Sequence, residues 1–292
     1  MTERLADISA RVDGVRQLGA VVNAMRGIAA ARVQQARTQV VAVDTYAATI
    51  AGAIGRALAL VPPAPPEAAK RSSQLALVLF CAEQGFAGAF SERVLEAAGA
   101  DLARSEVFLI GTRGAAVASE RSVTVNWKSA LPAHSPGIPK LADRIAEALY
   151  PRIATGEISH LDVIISEWRA GHGTQVERRR LFPFDMTRFP VPAIASAPLL
   201  NLAPDMLLND LTADYLHALL CNAALHAFAA ENQARMEAMA AAHSQIERQL
   251  SALQATRRHV RQEEITAEII ELAAGETASR PDNEQSHQPA SR

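Results

Sequence analysis

A seven-residue repeat of apolar side chains runs through the first 58 or so residues of the chain. Alternating steps of three and four from Leu5 pass sixteen positions, of which fourteen are apolar and two, Gly19 and Arg26, are not. Such a repeat is typical of a coiled coil, in which one face of a helix packs along a partner helix. At ~1.5 Å per residue the helix would be ~87 Å long, which exceeds the core of one compact domain. Residues 1–60 are therefore predicted to form one helix that needs an equally long partner.

The same repeat returns at the other end of the chain, after Pro204, and supplies that partner. It holds for about seventy residues. After Val260 the register slips, and we predict that the apolar face continues through Ile265, Ile269 and Leu272. Residues 1–60 hold seven arginines and four acids, whereas residues 205–275 hold five arginines and ten acids. Opposite charge and opposite positions in the chain both favour an antiparallel pair, although each exposed ion pair contributes only ~0 to 1 kcal/mol.

The segment between the two helices has the pattern of alternating strands and helices. The run "LALVLFCAEQG" is continuously apolar, as in a strand buried on both faces of a parallel sheet. A helix is predicted at about residues 90–104, strands at 107–111 and 122–127, and a helix at about 140–153. The stretches "LDVIISEWR" and "QVERRRLFPF", joined by "AGHGT", indicate a hairpin. The predicted architecture is a small, mostly parallel, Rossmann-like α/β domain inserted between the helices of an antiparallel coiled coil, an α+β composite.

Proline and polar residues set the predicted domain boundaries. The stretch "VPPAPPEAAKRSS" at 61–73 forbids helix and predicts a linker. The α/β domain is placed at 74–200 and the C-terminal helix at 204–275, where Gly275 is predicted to give a left-handed stop. The tail, residues 276–292, is polar and without period, and is predicted to be disordered.

Composition argues against several classes of protein. The formal net charge of −2 gives no overall attraction for nucleic acid. Cys81 and Cys221 both fall in segments predicted to be buried, which argues against a disulfide framework or thiolate metal site. The eight histidines lack metal-ligand spacing, so we expect no metal and no cofactor. No run of 18 uncharged apolar residues occurs, so no membrane span is predicted.

One motif suggests chemistry. The turn "GFAGAF" at 85–90 follows a buried strand and opens a helix, as a dinucleotide-binding loop does. However, it lacks one glycine of G-x-G-x-x-G, no acid ends the next strand, and no Walker loop occurs. A close strand-to-helix turn is the preferred interpretation, and no catalytic residue is assigned. The arginines of "ERRR" at 177–180 are predicted to lie on a solvated edge strand, with partner contact as the alternative.

The two ends of the chain resemble the gamma subunit of F-type ATP synthases. The opening "ISARVDGVRQLGAVVNAMRGIAAARV" is similar to that family's first helix, and "AENQARMEAMAAA" followed by "RQEEITAEIIELAAG" is similar to its last. Between them, "GFAGAFSERVL" is similar to the family's G-L-C-G-x-x-N-x-x-V turn, and "VFLIGTRGAA" to its L-I-G-x-K-G. The resemblance covers residues 1 to about 275.

The resemblance implies a rotor shaft that catalyses nothing itself. In that family the terminal helices enter the hollow of the alpha and beta subunits of the catalytic head, and the foot sits with the epsilon subunit on the membrane rotor ring. One copy per complex is implied, peripheral to the cytoplasmic face of a bacterial inner membrane. The complex would couple proton or sodium flow to ATP synthesis or hydrolysis.

Several residues are implied to contact those partners. They lie on the exposed faces or terminal motifs of the two long helices: Met25, Arg26, Arg32, Arg235, Met236, Arg261, Gln262 and Glu268. The chain departs from the family where Ala267 replaces the usual glutamine and where "GFAGA" replaces "GLCGG". Two other functions stay open on the residues alone: a nucleotide-binding α/β enzyme that dimerises by its coiled coil, and a cytosolic coiled-coil adaptor.

Overall fold

The computed structural model describes residues 2–61, 74–169, 171–189 and 200–279. It divides into two compact units. A terminal unit takes in Met1–Ala24 and Ala240–Arg292, and a central unit takes in Met25–Met239. The described secondary structure runs, in chain order, α1 (Thr2–Leu58), β1 (Leu75–Phe80), α2 (Phe90–Ala98), β2 (Glu106–Ile110), α3 (Thr112–Glu120), β3 (Trp127–Ser129), α4 (Ile138–Ala154), β4 (His160–Arg169), β5 (Gly173–Phe182) and α5 (Pro204–Ser279), with short 3-10 turns at Gly99–Ala103, Ser135–Gly137 and Met186–Arg188.

The central unit is built on a five-stranded sheet in the order β3-β2-β1-β4-β5. The β1 strand pairs in parallel with β2 and β4, β2 pairs in parallel with β3, and β5 runs antiparallel to β4. In β1 every residue after Leu75 is buried, because helices cover both faces of the sheet. The predicted mostly parallel sheet with a terminal hairpin is thus confirmed.

The two faces of the sheet carry separate cores. Val78, Phe80 and Phe108 face one core, which also contains apolar residues of α1, α4 and α5. Leu77 and Leu79 face the other, beside residues of α2 and α3. Since successive side chains of a strand point to opposite faces, one apolar run serves both cores.

A glycine brings α3 close against β1. A Cβ added at Gly114 would lie 2.0 Å from the Cβ of Cys81, a distance that no side chain could accommodate. The backbone N–H of Gly114 also donates to the carbonyl of Ala82, at 3.0 Å. This turn therefore requires glycine on packing grounds alone.

Within the central unit, α1 and α5 run antiparallel. Ile50 and Ile54 of α1 share a cluster with Tyr215 of α5, and further back along α1 the Asp44 carboxylate accepts a hydrogen bond from Asn222 Nδ2 at 2.6 Å. Successively earlier residues of one helix thus meet later residues of the other, which confirms the predicted direction of the pair.

The hairpin of β4 and β5 contacts both long helices through polar side chains. The Arg37 guanidinium of α1 lies 4.2 Å from the ring centroid of Trp168, a cation–π contact. Glu167 lies 3.2 Å from Nδ1 of His226 on α5 and accepts from Arg179 at 2.6 Å. These contacts join the edge of the sheet to the helices beside it.

In the terminal unit, α1 and α5 meet along the predicted apolar faces. Val12, Val22, Ile246 and Val260 are all buried. A Cβ added at Gly19 would lie 3.2 Å from Cγ2 of Ile246, so the missing side chain allows a close approach of the two helices. The glycine interruption of the repeat is therefore a packing feature.

Three sequence predictions need correction. Of the residues predicted as a strand at 122–127, only Trp127 belongs to a strand, as the first residue of β3. The strand does not begin earlier because the Asn126 side chain accepts the Val107 N–H at 2.9 Å and Ser122 has a φ of 54°. The helix predicted to 104 ends at Ala98, where Gly99 has a φ of 52°. Helix α5 passes through Gly275 to Ser279, so the predicted stop is absent and residues 276–279 are helical. Residues 62–73 and 280–292 lie outside the described part of the chain, and the linker and tail there stay predictions.

Candidate functional site

The carboxyl edge of the sheet is the place where an α/β fold of this kind would hold a ligand. There, Glu83 accepts hydrogen bonds from the N–H and the hydroxyl of Thr112, at 2.9 and 2.7 Å, and from the N–H of Leu131 at 2.8 Å. Thr112 is the first residue of α3, so a carboxylate of the chain itself occupies the helix N-terminus that a phosphate would use. This arrangement leaves little room for a nucleotide phosphate at α3.

The turn after β1 is held by α5. The N–H of Gln84 donates to Glu231 at 3.1 Å, and Nε of Arg235 donates to the carbonyl of Gly85 at 3.3 Å. Arg235 also forms an ion pair with Glu231 and donates to Asn232 at 3.0 Å. The "GFAGAF" segment is therefore a strand-to-helix turn packed on a helix, as preferred from the sequence.

The cysteines are poor nucleophiles. Burial is the main cause that raises the pKa of Cys81 to about 12, and the pKa of Cys221 is raised to about 12 for the same reason. The sequence did not predict that His217 would lie beside Cys221, with Nε2 3.8 Å from Sγ and 3.0 Å from a carboxylate oxygen of Asp143. Because Sγ is almost equally far from both ring nitrogens, the imidazole is not aimed to take the thiol proton.

The residues predicted to contact partners are divided by their exposure. Met25, Arg32 and Met236 are half-buried. Arg26, Arg261, Gln262 and Glu268 are exposed.

The prediction that Arg235 contacts a partner needs correction. Arg235 is 5% exposed, and its guanidinium binds groups of the same chain. In this structure it is not available to a partner. A charged side chain that is taken from water needs an internal counter-charge, and Glu231 supplies it.

The α1 repeat also needs a local correction at this point. Met25 is half-buried whereas Arg26 is exposed. The helix therefore turns Met25 toward the interior, and the apolar face steps from Val22 to Met25 to Ala29. Among the sixteen predicted interior positions Arg26 is the one that lies outside.

The end of α5 presents apolar side chains to the solvent. Val260 is buried, but Ile265, Ile269 and Leu272 are 49%, 60% and 74% exposed. The predicted register slip is therefore wrong: the interior face continues regularly through Glu264 and Ala267, which are half-buried. The exposed face, which we call the C-terminal stripe, consists of Ile265, Ile269 and Leu272, whereas Ile270 is exposed on a different side of the helix.

The outer face of α1 carries a second exposed apolar row, which the sequence reading missed. Leu18, Val21 and Ile28 are 53%, 56% and 55% exposed. Their spacing of three and seven residues follows the same period as the interior face, displaced around the helix. A search for two apolar faces on one helix could have found them.

Fold and site together define a class of protein. Two long helices pair around an inserted α/β domain, the crevice edge is filled by the chain's own side chains, and apolar helix faces remain exposed. Within the described residues, no group of His, Cys, Asp and Glu could hold a metal. None of the described helices combines the length and apolar character needed to span a bilayer. The exposed apolar helix faces are typical of a chain that acts through contact surfaces, as a scaffold or a mechanical part does.

Comparison with known proteins identifies the family. A family model described as ATP synthase matches residues 4–278. The ATP synthase gamma chain of Solibacter usitatus is 27% identical over 290 residues, covering 94% of this chain and 99% of the relative. That of Chlorobium luteolum is 28% identical over 288 residues, covering 94% and 98%. The chain belongs to the ATP synthase family.

Solved structures show the same fold at low identity. A chain of the Euglena gracilis mitochondrial ATP synthase, in a structure of OSCP, F1 and c-ring, matches with a TM-score of 0.63 at 11% identity over 100% of both chains. A chain of the Tetrahymena thermophila central stalk and c-ring matches with a TM-score of 0.52 at 14% identity, covering 76% of this chain and 99% of that one. The family match and the gamma-chain relatives, rather than these low-identity folds, confirm the predicted non-catalytic, central-stalk function, and the nucleotide-dependent enzyme is not favoured.

Proposed function

We propose that this chain is the rotating shaft of its ATP synthase, with its terminal helices inside the alpha and beta subunits of the catalytic head. The α/β domain would stand on the membrane rotor ring together with the epsilon subunit, with one copy of the chain per complex. The similar solved structures come from an assembly of OSCP, F1 and c-ring and from one of central stalk and c-ring, which supports association with a head and a ring.

The observation that carries this proposal is the C-terminal stripe. Large apolar side chains on a monomer's surface are ordinary when scattered, but a row along one helix face marks a contact surface. Here the three members lie within eight residues of α5 and are 49–74% exposed. A sleeve of surrounding subunits would cover such a face.

The outer face of α1 supports the same arrangement. Leu18, Val21 and Ile28 add exposed apolar area, and Arg26 is exposed on another side of the same helix. Met25 and Arg32 are half-buried and can contribute part of their side chains to a partner. On α5, Arg261, Gln262 and Glu268 supply polar atoms next to the stripe.

The same surfaces suggest how rotation is coupled to catalysis. The faces of the shaft differ, since some are apolar and others carry arginine or glutamate. A surrounding site that meets an apolar face is stabilised in a different state from one that meets a charged face. Coupling then arises from differential contacts, because a partner can shift an equilibrium only by its difference in affinity for two states.

The base of the shaft is assigned from exposed apolar residues near the start of α5. Leu202 and Met206, near the start of α5, are 46% and 58% exposed. Apolar side chains at that end suit a contact with the ring or with epsilon. On this proposal the chain is a peripheral component of a membrane complex, and we infer that it lies at the cytoplasmic face of a bacterial inner membrane.

Co-purification tests the proposal. An affinity-tagged chain expressed from its own genome is expected to recover alpha and beta in stoichiometric amounts, and the rotor ring after mild detergent extraction. Recovery of the tagged chain without alpha and beta would refute the proposal and would favour the coiled-coil adaptor. Saturable nucleotide binding by the isolated chain would instead favour the enzyme, against the filled crevice edge at Glu83.

A further inference from the structure

A cavity of about 750 Å³ lies between the two long helices and the hairpin of β4 and β5, wholly within the central unit. Alanines of both helices, among them Ala47, Ala51 and Ala223, form part of its wall, together with Val163 and Leu181 of the sheet. Because an alanine side chain is short, the helices leave room there for a molecule. Small-molecule sites have volumes of about 300–1,000 Å³ and are mostly apolar with a few polar groups, as this cavity is.

Three polar side chains on the cavity wall have acceptor atoms to spare. Asp44 uses one carboxylate oxygen to accept from Asn222 Nδ2 at 2.6 Å, so the amide oxygen of Asn222 remains an acceptor. His226 lies one turn further along α5, and its Nδ1 is 3.2 Å from Glu167. Burial is the main cause that lowers the pKa of His226, so the ring is neutral at neutral pH, with its proton on Nδ1 and a lone pair on Nε2. A ligand that meets these three residues must therefore supply donors.

The carboxylate of Asp44 lacks the counter-charge that the other acids near His226 have. Glu167 and Glu177 accept from Arg179 at 2.6 and 2.8 Å, and both also form ion pairs with Arg169. Within the part of the chain that the structure describes, no arginine or lysine forms an ion pair with Asp44, whose hydrogen-bond partner is a neutral amide. Two acids matched by two guanidinium groups leave Asp44 as a surplus negative charge on the wall.

The two other arginines on the wall also have acidic partners. Arg180 lies 3.0 Å from Asp162, and Arg188 lies 3.9 Å from Asp185. An anionic ligand would have to compete with these carboxylates for the guanidinium groups. A cationic ligand would instead meet the carboxylate of Asp44, and charge-assisted hydrogen bonds of that kind are roughly twice as strong as neutral ones.

We propose that this cavity binds a small organic cation, a protonated primary amine with an apolar body, and that its ammonium group lies at Asp44. An ammonium group has three N–H donors, which matches the acceptors of Asp44, Asn222 and His226. The apolar body lies against the alanines and Leu219. The site is separate from the proposed shaft surfaces, because neither the C-terminal stripe nor the exposed apolar row of α1 contributes to its wall.

Three compounds with the same ring and different charge test the assignment. Cyclohexylmethylamine, cyclohexylmethanol and cyclohexanecarboxylate are titrated into the isolated full-length chain at neutral pH, and binding is measured by calorimetry. The amine, a ligand of about eight non-hydrogen atoms, is expected to bind with a Kd on the order of 0.1–1 mM. The alcohol and the carboxylate are expected to bind at least about tenfold more weakly.

Two variants separate the charge from the space. Asp44→Asn keeps an acceptor for Asn222 but removes the charge, and should weaken binding of the amine about fivefold. Ala48→Leu keeps every polar group but extends an exposed side chain of the wall into the cavity, and should abolish saturable binding. Glu120→Gln is the matched control, since it makes the same change in net charge at an exposed position of α3 outside the cavity, and it should leave the affinity unchanged.

Each contrary result would overturn the proposal. Tighter binding of the carboxylate than of the amine would show that the arginines of the wall select the ligand. Equal binding of amine and alcohol, or an unchanged affinity in Asp44→Asn, would show that the Asp44 carboxylate does not recognise the ligand. No binding of the amine up to about 10 mM would show that the cavity is not a site for such a cation. None of these results bears on the shaft, which is tested by co-purification with alpha and beta.

Discussion

Ile269, in the middle of the C-terminal stripe, gives a direct test of the shaft proposal. The residue is 60% exposed in the chain alone. Full burial of an isoleucine side chain contributes ~1.5–3 kcal/mol, so covering the exposed part contributes ~1–2 kcal/mol. Ile269→Ser should therefore weaken binding to the alpha/beta assembly by roughly 5- to 30-fold. Because the side chain is exposed in the free chain, the free energy of unfolding of the isolated chain should change by less than ~0.5 kcal/mol.

The assay compares binding and unfolding for matched variants. Affinity is measured with purified alpha and beta, and unfolding by urea titration of the isolated chain. Val41→Ser is the control, since Val41 is 67% exposed on α1 but lies far along the chain from the terminal unit. Equal affinities of Ile269→Ser and wild type would refute the argument from the stripe. A large loss of stability in Ile269→Ser would show that the side chain packs inside the chain.

Three further changes test other parts of the molecule. Met25→Lys should lower the ion transport per ATP hydrolysed more than it lowers the yield of assembled complex. The half-buried position can admit the long lysine side chain, while its charge meets the surrounding alpha and beta subunits. Wild-type ion transport per ATP in this variant would contradict the prediction. Arg235→Ala should destabilise the isolated chain by ~3–5 kcal/mol in urea unfolding, because it leaves the buried carboxylate of Glu231 unpaired, and adding Glu231→Gln should restore part of the loss. Burial lowers the pKa of His226 despite the opposing effect of Glu167, so on acidification the unfolded chain binds a proton at His226 before the folded chain does. The stability of the chain should therefore fall as the pH drops below the ordinary histidine pKa of 6.5. His226→Gln should show a smaller fall in stability between pH 8 and 5.

The long helices could be predicted from the sequence because their period is a repeated, local signal. Fifteen of the sixteen interior positions predicted for α1 are buried or half-buried, and the exception, Arg26, was already the polar exception in the repeat. The strands of the central sheet were readable for a similar reason, since a sheet covered on both faces gives unbroken apolar runs such as that of β1.

The errors arose where one side chain replaced a regular interaction. The short β3 depends on Asn126, whose amide oxygen takes the Val107 N–H in place of another strand residue. Arg235 was assigned to a partner because the family resemblance implied it, and nothing in the sequence indicated that its guanidinium would donate to the carbonyl of Gly85, 150 residues away. Contacts of this kind depend on the tertiary fold, which periodicity does not report.

The misread end of α5 is the most informative of these errors. A slip in register was inferred because isoleucines were assumed to seek the interior, and Ile265 and Ile269 did not fit the existing face. The helix keeps its register and places Glu264 and Ala267 inside, so the apolar residues point outward. In a chain that folds alone, this arrangement would lower solubility without adding stability. Exposed apolar residues are reasonable in a chain whose outer face is covered by other subunits. Because apolar contacts are non-directional, the helix could also turn against such a cover without breaking fixed hydrogen bonds.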